Sequence, residues 1–352
     1  MNLRISFFAI LVAVGWSSSD TAAGKASPGT KLPSFSVVRT IPLPDSLPDN
    51  YFDYASVDST LGKLFIGSED GVTTVDLKTN DATPRFVKAR MVHAVLPLPN
   101  HRMLITSGTT DTAILFDSSS GSILANIKTG RHPDGATYDS VSGLAVAINI
   151  IGGTVTLIDP VKGIAVGDIQ IGGMLEAGVT DSQGLLYINV LNYAKIAVVD
   201  IAARKVLKQY PLPGCKEPTG LAIDGATGLL VAACGNGKAI ALHAEDGKLA
   251  ASVNIGEGAD AMLFDSRRRV FFAPSGDAGT LSVLREVSGR RALVLDQTVK
   301  TAPGARTGAL DNETGQLYLP VADEAEGTFL VEGHKLPKHQ LKTFRVLVVA
   351  AQ

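Results

Sequence analysis

The chain has 352 residues, 45% of them hydrophobic and 19% charged, a composition that excludes an intrinsically disordered protein. Thirty-two basic against thirty-four acidic side chains give a net charge of -2, which excludes a globally basic nucleic-acid binder. Thirty-six glycines with no collagen-like period point to many tight turns.

One positive side chain, Arg4, precedes an apolar run from Ile5 to Trp16, and a small polar stretch follows it. This pattern predicts a secretory signal peptide over residues 1–24 and a mature domain over 25–352. The run is shorter than the ~20 residues that span a bilayer, and no later stretch reaches that length. No Cys follows the run, which argues against a lipoprotein anchor. The expected location is secreted or periplasmic. The chain's one Trp, Trp16, falls in the leader, so the mature domain lacks the Trp platforms of many sugar and quinone sites. No C-x-x-C-H occurs, which excludes covalent haem at such a motif.

The mature region repeats. A unit reads as a short apolar strand ending in Asp, a Gly-containing turn, a second apolar strand, a polar loop, a third strand, a charged turn and a fourth strand. Ala136–Asp139, Leu144–Asn149 and Thr154–Asp159 form one copy; Gly178–Asp181, Leu185–Asn189 and Ile196–Asp200 form the next. First-strand markers fall at Asp58, Leu98 (where Asp is expected), Asp139, Asp181, Asp224, Asp265 and Asp311, at spacings of 40 to 46. Seven units of this length match four-stranded propeller blades. The fold class predicted is all-β, a seven-bladed β-propeller of antiparallel blades. The marker Asp is read as a turn-former that bonds nearby backbone amides. Ser36–Leu43 reads as an outermost fourth strand without its first three, and Lys342–Val349 as a third strand without its fourth. The last blade is therefore expected to be closed by the amino-terminal strand.

Pro133-Asp134-Gly135-Ala136, Pro218-Thr219-Gly220-Leu221 and the strand ends Ile148-Asn149 and Ile188-Asn189 carry a resemblance to the YVTN-type, YncE-like repeat of secreted seven-bladed propellers. It spans essentially the whole mature chain, although most copies lack the Asn and some the Pro. It implies a fold and an extracytoplasmic setting, and no particular activity.

Five residues before each marker stand Asp53, His93, Asp134, Glu176, Thr219, Asp260 and Arg306, the positions expected to ring the upper mouth of the channel. Glu69, Asp70, Asn149, Asn189, Asn236, Asp277 and Asp323, at the ends of second strands, are expected nearby. The main reading is a scaffold that recognises an unidentified protein or small molecule at this mouth, as a monomer and without assigned catalysis; nucleic acid is disfavoured. The alternative is a lactonase-like hydrolase. There His93 would be the base, Glu176 or Asp134 would orient it, and Arg306 would hold an oxyanion. Asp53, Asp134, Glu176 and Asp260 are candidate ligands for Ca²⁺. A polar mouth also arises simply because channel mouths are wet. A second alternative is a polyanion site on the lower side, built from Arg267, Arg268, Arg269, Arg290 and Arg291. Cys215 and Cys234 either pair or remain buried thiols; sequence leaves both open. The stretch Asp323 to Gln340, inserted in the last unit, reads as a lid or a decorated surface loop.

Overall fold

A computed structural model describes residues 32–44, 51–287, 292–322 and 344–352, together with the backbone of two short strands, Thr328–Val331 and His334–Pro337. The predicted signal peptide lies outside the described residues.

Seven four-stranded antiparallel sheets follow one another around a ring. Blade 1 runs from Phe52 to Lys88, blade 2 from Val92 to Lys128, blade 3 from Pro133 to Gln170 and blade 4 from Leu175 to Pro211. Blade 5 spans Pro218 to Asn254 and blade 6 Leu263 to Lys300. Blade 7 joins Ala309–Leu310, Leu317–Ala322 and Phe344–Ala351 to the amino-terminal strand Phe35–Leu43.

The sequence pattern along each blade follows from its surroundings. Second and third strands are covered on both faces by neighbouring blades, so they are continuous apolar runs such as Leu144–Asn149 and Thr154–Asp159. Fourth strands form the outer wall and are largely exposed, as in Ile123–Lys128. The cores lie between blades. Val146 and Ile148 of blade 3 pack with Leu186 and Ile188 of blade 4, and Tyr187 and Val198 of blade 4 pack with Leu230 and Ala232 of blade 5.

Ring closure is as the sequence predicts. Phe35–Leu43 pairs antiparallel with Phe344–Ala351, from Phe35 opposite Ala351 to Leu43 opposite Phe344. Ile41 and Leu43 enter one core with Phe344 and Val346 and with Leu64 and Ile66 of blade 1. Gln297 of blade 6 adds a two-way bond to the backbone of Phe35, donating from Nε2 to its carbonyl and accepting its N–H at Oε1.

The marker aspartates act as turn-formers. Asp139 accepts from the Ser142 amide and hydroxyl, Asp265 from the amides of Arg267 and Arg268, and Asp311 from the Glu313 amide. Blade 2, which has Leu98 at this position, turns differently. Asn100 and His101 both take positive φ, at 61° and 55°, so the backbone itself supplies a tight hairpin turn without a carboxylate. Among the described residues no helix is long and apolar enough to cross a membrane.

Candidate functional site

One local irregularity, repeated around the ring, builds the site. In blade 1 the innermost strand pairs at Phe52 with Ser68, then skips two residues and resumes at Ala55 opposite Ile66. Blades 2 to 5 repeat the shift, between Val92 and Val95, Pro133 and Ala136, Leu175 and Gly178, and Pro218 and Leu221. Blade 6 has a lone bridge at Ala259 before its strand resumes at Leu263. Such bulges bend a strand and re-aim its side chains. The first residue freed is in turn Asp53, His93, Asp134, Glu176, Thr219 and Asp260.

Hydrogen bonds between blades hold these bulges in place. Thr307 donates to the Asp53 carbonyl at 2.7 Å, Thr106 to the Asp134 carbonyl at 2.5 Å, and Thr219 to the Ala259 carbonyl at 2.6 Å. The Asn189 side-chain amide donates to the carbonyls of Thr219 and Gly220. Close approach of the backbones restricts the bulge: a Cβ at Gly220 would sit 2.2 Å from the Ala261 carbonyl carbon.

The charged members of the ring meet. His93 Nδ1 lies 2.6 Å from Asp53 Oδ2 and 3.1 Å from Asp134 Oδ1, so one imidazole bridges carboxylates from the blades on either side. Asp134 is hydrogen-bonded in turn to Glu176, and the Tyr54 hydroxyl donates to Glu176 Oε1 at 3.2 Å, reaching from blade 1 to blade 4. On the other side of the ring, Arg306 Nε lies 3.2 Å from Asp260 Oδ2. The side chains of Asp53, His93 and Asp134 are 9%, 8% and 11% exposed, whereas Asp260 and Arg306 keep 22% and 33%.

Burial and mutual charge set the protonation states. Burial opposes an imidazolium at His93, but the charges of Asp134 and Asp53 outweigh it and lift its pKa to about 9. Burial also pushes Asp53 upward, yet the hydrogen bond and charge of His93 win and leave it below the ordinary carboxylate value. Glu176 is driven well above its ordinary value by burial and by the charges of Asp134 and Asp260. Asp134 is raised by burial despite His93, and Asp260 is raised to about 6 by burial, with Arg306 pulling the other way. At neutral pH the cluster therefore holds an imidazolium at His93 against the ionised Asp53, while burial and mutual repulsion favour the neutral forms of Asp134 and Glu176.

Below the charged ring the channel is lined by small and apolar residues, among them Ala94, Gly135, Ala177 and Met262, around a cavity of about 180 Å³.

Several predicted site residues have other work. Thr219 and Asn189 are spent on backbone carbonyls of the bulges, as described above. Asn149 is buried and donates to Thr154 and Thr156 within its own blade. Asn236 pins the loop before blade 5 through the Lys216 amide and the Gly214 carbonyl, and Asp70 pairs with Arg85. Asp323 lies outside the described residues, and Asp277 stands in the turn against Gly258. The same loop before blade 5 carries Cys215, which is disulfide-bonded to Cys234.

Of the five arginines of the expected polyanion patch, two are engaged in ion pairs. Arg268 is bound to Asp265, and Arg269 to Asp224 of the preceding blade and to Glu286 at 2.5 Å. Arg267 is exposed, and Arg290 and Arg291 lie outside the described residues. Asp265 and Asp224, the last residues of their strands, and Glu286 pair with two arginines of what reads in sequence as a free basic run. In the insertion from Asp323, the backbone of Thr328–Val331 pairs with His334–Pro337; its other residues lie outside the described ones.

Tyr54 is the participant that the sequence reading missed. The position after each ring residue is Ala or Gly in blades 2 to 6, at Ala94, Gly135, Ala177, Gly220 and Ala261, so a Tyr there was a signal.

No protein-family model matches the chain, and no curated protein matches it. Solved structures match in fold. The WD40 repeats of RRP9 give a TM-score of 0.72 at 10% identity, covering 91% of this chain and 99% of that one. U3-55K gives 0.72 at 10% identity, covering 89% and 99%. Kuenenia stuttgartiensis hydrazine synthase gives 0.67 at 15% identity, covering 79% and 94%. At these identities the likeness shows architecture alone: the chain is a seven-bladed β-propeller with WD40-repeat structural neighbours.

Proposed function

We propose that the protein is a recognition scaffold of the YVTN type, working outside the cytoplasm, that binds a small charged ligand or a charged partner side chain at the upper mouth of its channel. The asymmetry of the ring carries this reading. Four charged members are buried, while Asp260 and Arg306 keep 22% and 33% exposure at the mouth. A ligand arriving there meets opposite charges 3.2 Å apart, to which a zwitterionic or bidentate polar group offers complements. The backbones of the pair are tied as well, the Asp260 amide donating to the Arg306 carbonyl at 3.3 Å, which lowers the ordering cost of binding. The leader pattern and the Cys215–Cys234 disulfide support an oxidising compartment.

The test is thermal unfolding of the chain with a panel of amino acids, diamines and dicarboxylates, on wild type, Asp260→Ala and Arg306→Ala. A binder at about 100 times its Kd adds roughly 2.7 kcal/mol to stability. The reading expects a stabilising compound whose effect disappears in both variants. Stabilisation that both variants retain would place recognition elsewhere.

A further inference from the structure

We infer that Asp53, His93 and Asp134 form a metal site at this mouth for a first-row divalent ion of the zinc or manganese kind, an inference that rests on the mouth being a ligand-binding site. Three donors from three consecutive blades converge: Nδ1 of His93 lies 2.6 Å and 3.1 Å from the two carboxylate oxygens, and the three ligand atoms all fall within 4.8 Å of one another. An ion with bonds of about 2.1 Å sets neighbouring ligands about 3 Å apart. The Asp134 contact stands near that spacing, and the shorter Asp53 contact has to open by a few tenths of an ångström to admit the ion. The ion takes the place of the proton that otherwise sits between imidazole and carboxylate.

The support behind the donors is what a preformed site needs. The Asp53 carbonyl is held by Thr307, and Thr106 both accepts from the Ala94 amide and donates to the Asp134 carbonyl, fixing the backbone beside His93 and under Asp134. Glu176 is hydrogen-bonded to Asp134, the position of an outer carboxyl that orients a ligand.

A second observation is independent of the carboxylates. His93 Nε2 is buried and has no hydrogen-bond partner among the described residues. Most buried side-chain polar atoms have a hydrogen-bond partner, and this nitrogen is one of the exceptions among the described residues. Metal-ligating imidazoles use the second N–H for an outer acceptor, often water. Beside Nε2 stands Gly108, where a Cβ would come within 2.7 Å of that nitrogen, so the absence of a side chain leaves the room.

The donor set chooses the ion. Calcium takes 6–8 oxygens at about 2.3–2.6 Å. The all-carboxylate calcium set expected from sequence loses Asp260 to Arg306 and gains an imidazole. Imidazole with two carboxylates suits zinc or manganese.

The experiment uses the whole chain, stripped with chelator, and Co²⁺ as the probe read by its visible absorption. The expected result is one Co²⁺ per chain, displaced by Zn²⁺ and not by equal Ca²⁺. Asp53→Asn and His93→Gln should each weaken uptake at least about tenfold while keeping the wild-type circular dichroism. Pulsed electron paramagnetic resonance of the Cu²⁺-loaded wild type should show a single imidazole nitrogen, which decides the matter should either variant fail to fold. Absence of Co²⁺ and Zn²⁺ uptake by folded wild type, or uptake unchanged in both variants, overturns the inference. Arg306→Ala separates the two ideas. If it abolishes small-ligand stabilisation in a protein that takes up no ion, the metal site falls and recognition stands. If ions bind through His93 and no compound depends on Arg306, the metal site stands and recognition at the Asp260–Arg306 edge falls.

Discussion

His93 of blade 2 and Asp53 of blade 1 are joined across the mouth of the channel by a 2.6 Å contact between Nδ1 and Oδ2, with Asp134 of blade 3 at 3.1 Å on the same nitrogen. The contact couples the protonation of one side chain to the assembly of three blades.

Stability of the chelator-treated chain should therefore fall on the alkaline side. An unfolded imidazole titrates near 6.5, whereas His93 holds its proton up to about 9. Between those values His93 carries one proton more in the folded chain than in the unfolded chain. The contribution is full below 6.5 and is lost as pH rises through 9, at about 1.4 kcal/mol per pH unit. Urea unfolding from pH 6 to 10 should show that slope in wild type and lose it in His93→Gln. An equal slope in both would assign the effect to other groups.

Thr307→Val should cost about 1–3 kcal/mol, because it leaves the Asp53 carbonyl without its buried donor while nearly preserving shape. Chemical denaturation measures the loss. A value near zero would mean that the bulge in blade 1 needs no stitch from blade 7.

Cys215 and Cys234 are 19 residues apart in sequence, and the chain-entropy account assigns a loop of that size about 3 kcal/mol. The double variant Cys215→Ala, Cys234→Ala should melt lower than the oxidised wild type and match the behaviour of wild type under reductant. Unchanged melting would show that Asn236 and the backbone hydrogen bonds hold the loop before blade 5 without the disulfide.

Arg269→Ala should destabilise the fold by about 1–3 kcal/mol, because it strands Asp224 and Glu286, whose side chains are only 4% and 3% exposed. Binding of heparin or DNA, where measurable, should change little. A steep loss of polyanion binding with preserved stability would restore the basic-patch reading.

The architecture was legible because its period is local. Each Asp marker governs its own turn, and counting back from it reached the ring positions, since every blade repeats one backbone course. Non-local relations were hidden. The same count that picked Asp53 and His93 also picked Thr219, whose hydroxyl is directed to a carbonyl of the next blade. Asn189 and Arg269 likewise look available until the neighbouring blade supplies carbonyls or carboxylates. The bulge that re-aims the ring side chains depends on pairing register, which a strand pattern does not carry. The bridging role of His93 depends on two blades at once.

The most direct test of the account is amide hydrogen exchange on the full chain with and without the most stabilising compound of the ligand panel. The account predicts protection confined to the strand starts at the upper mouth, around Asp53, His93, Asp134, Asp260 and Arg306. Protection on the lower turns or the outer strands, with the mouth unchanged, would contradict it.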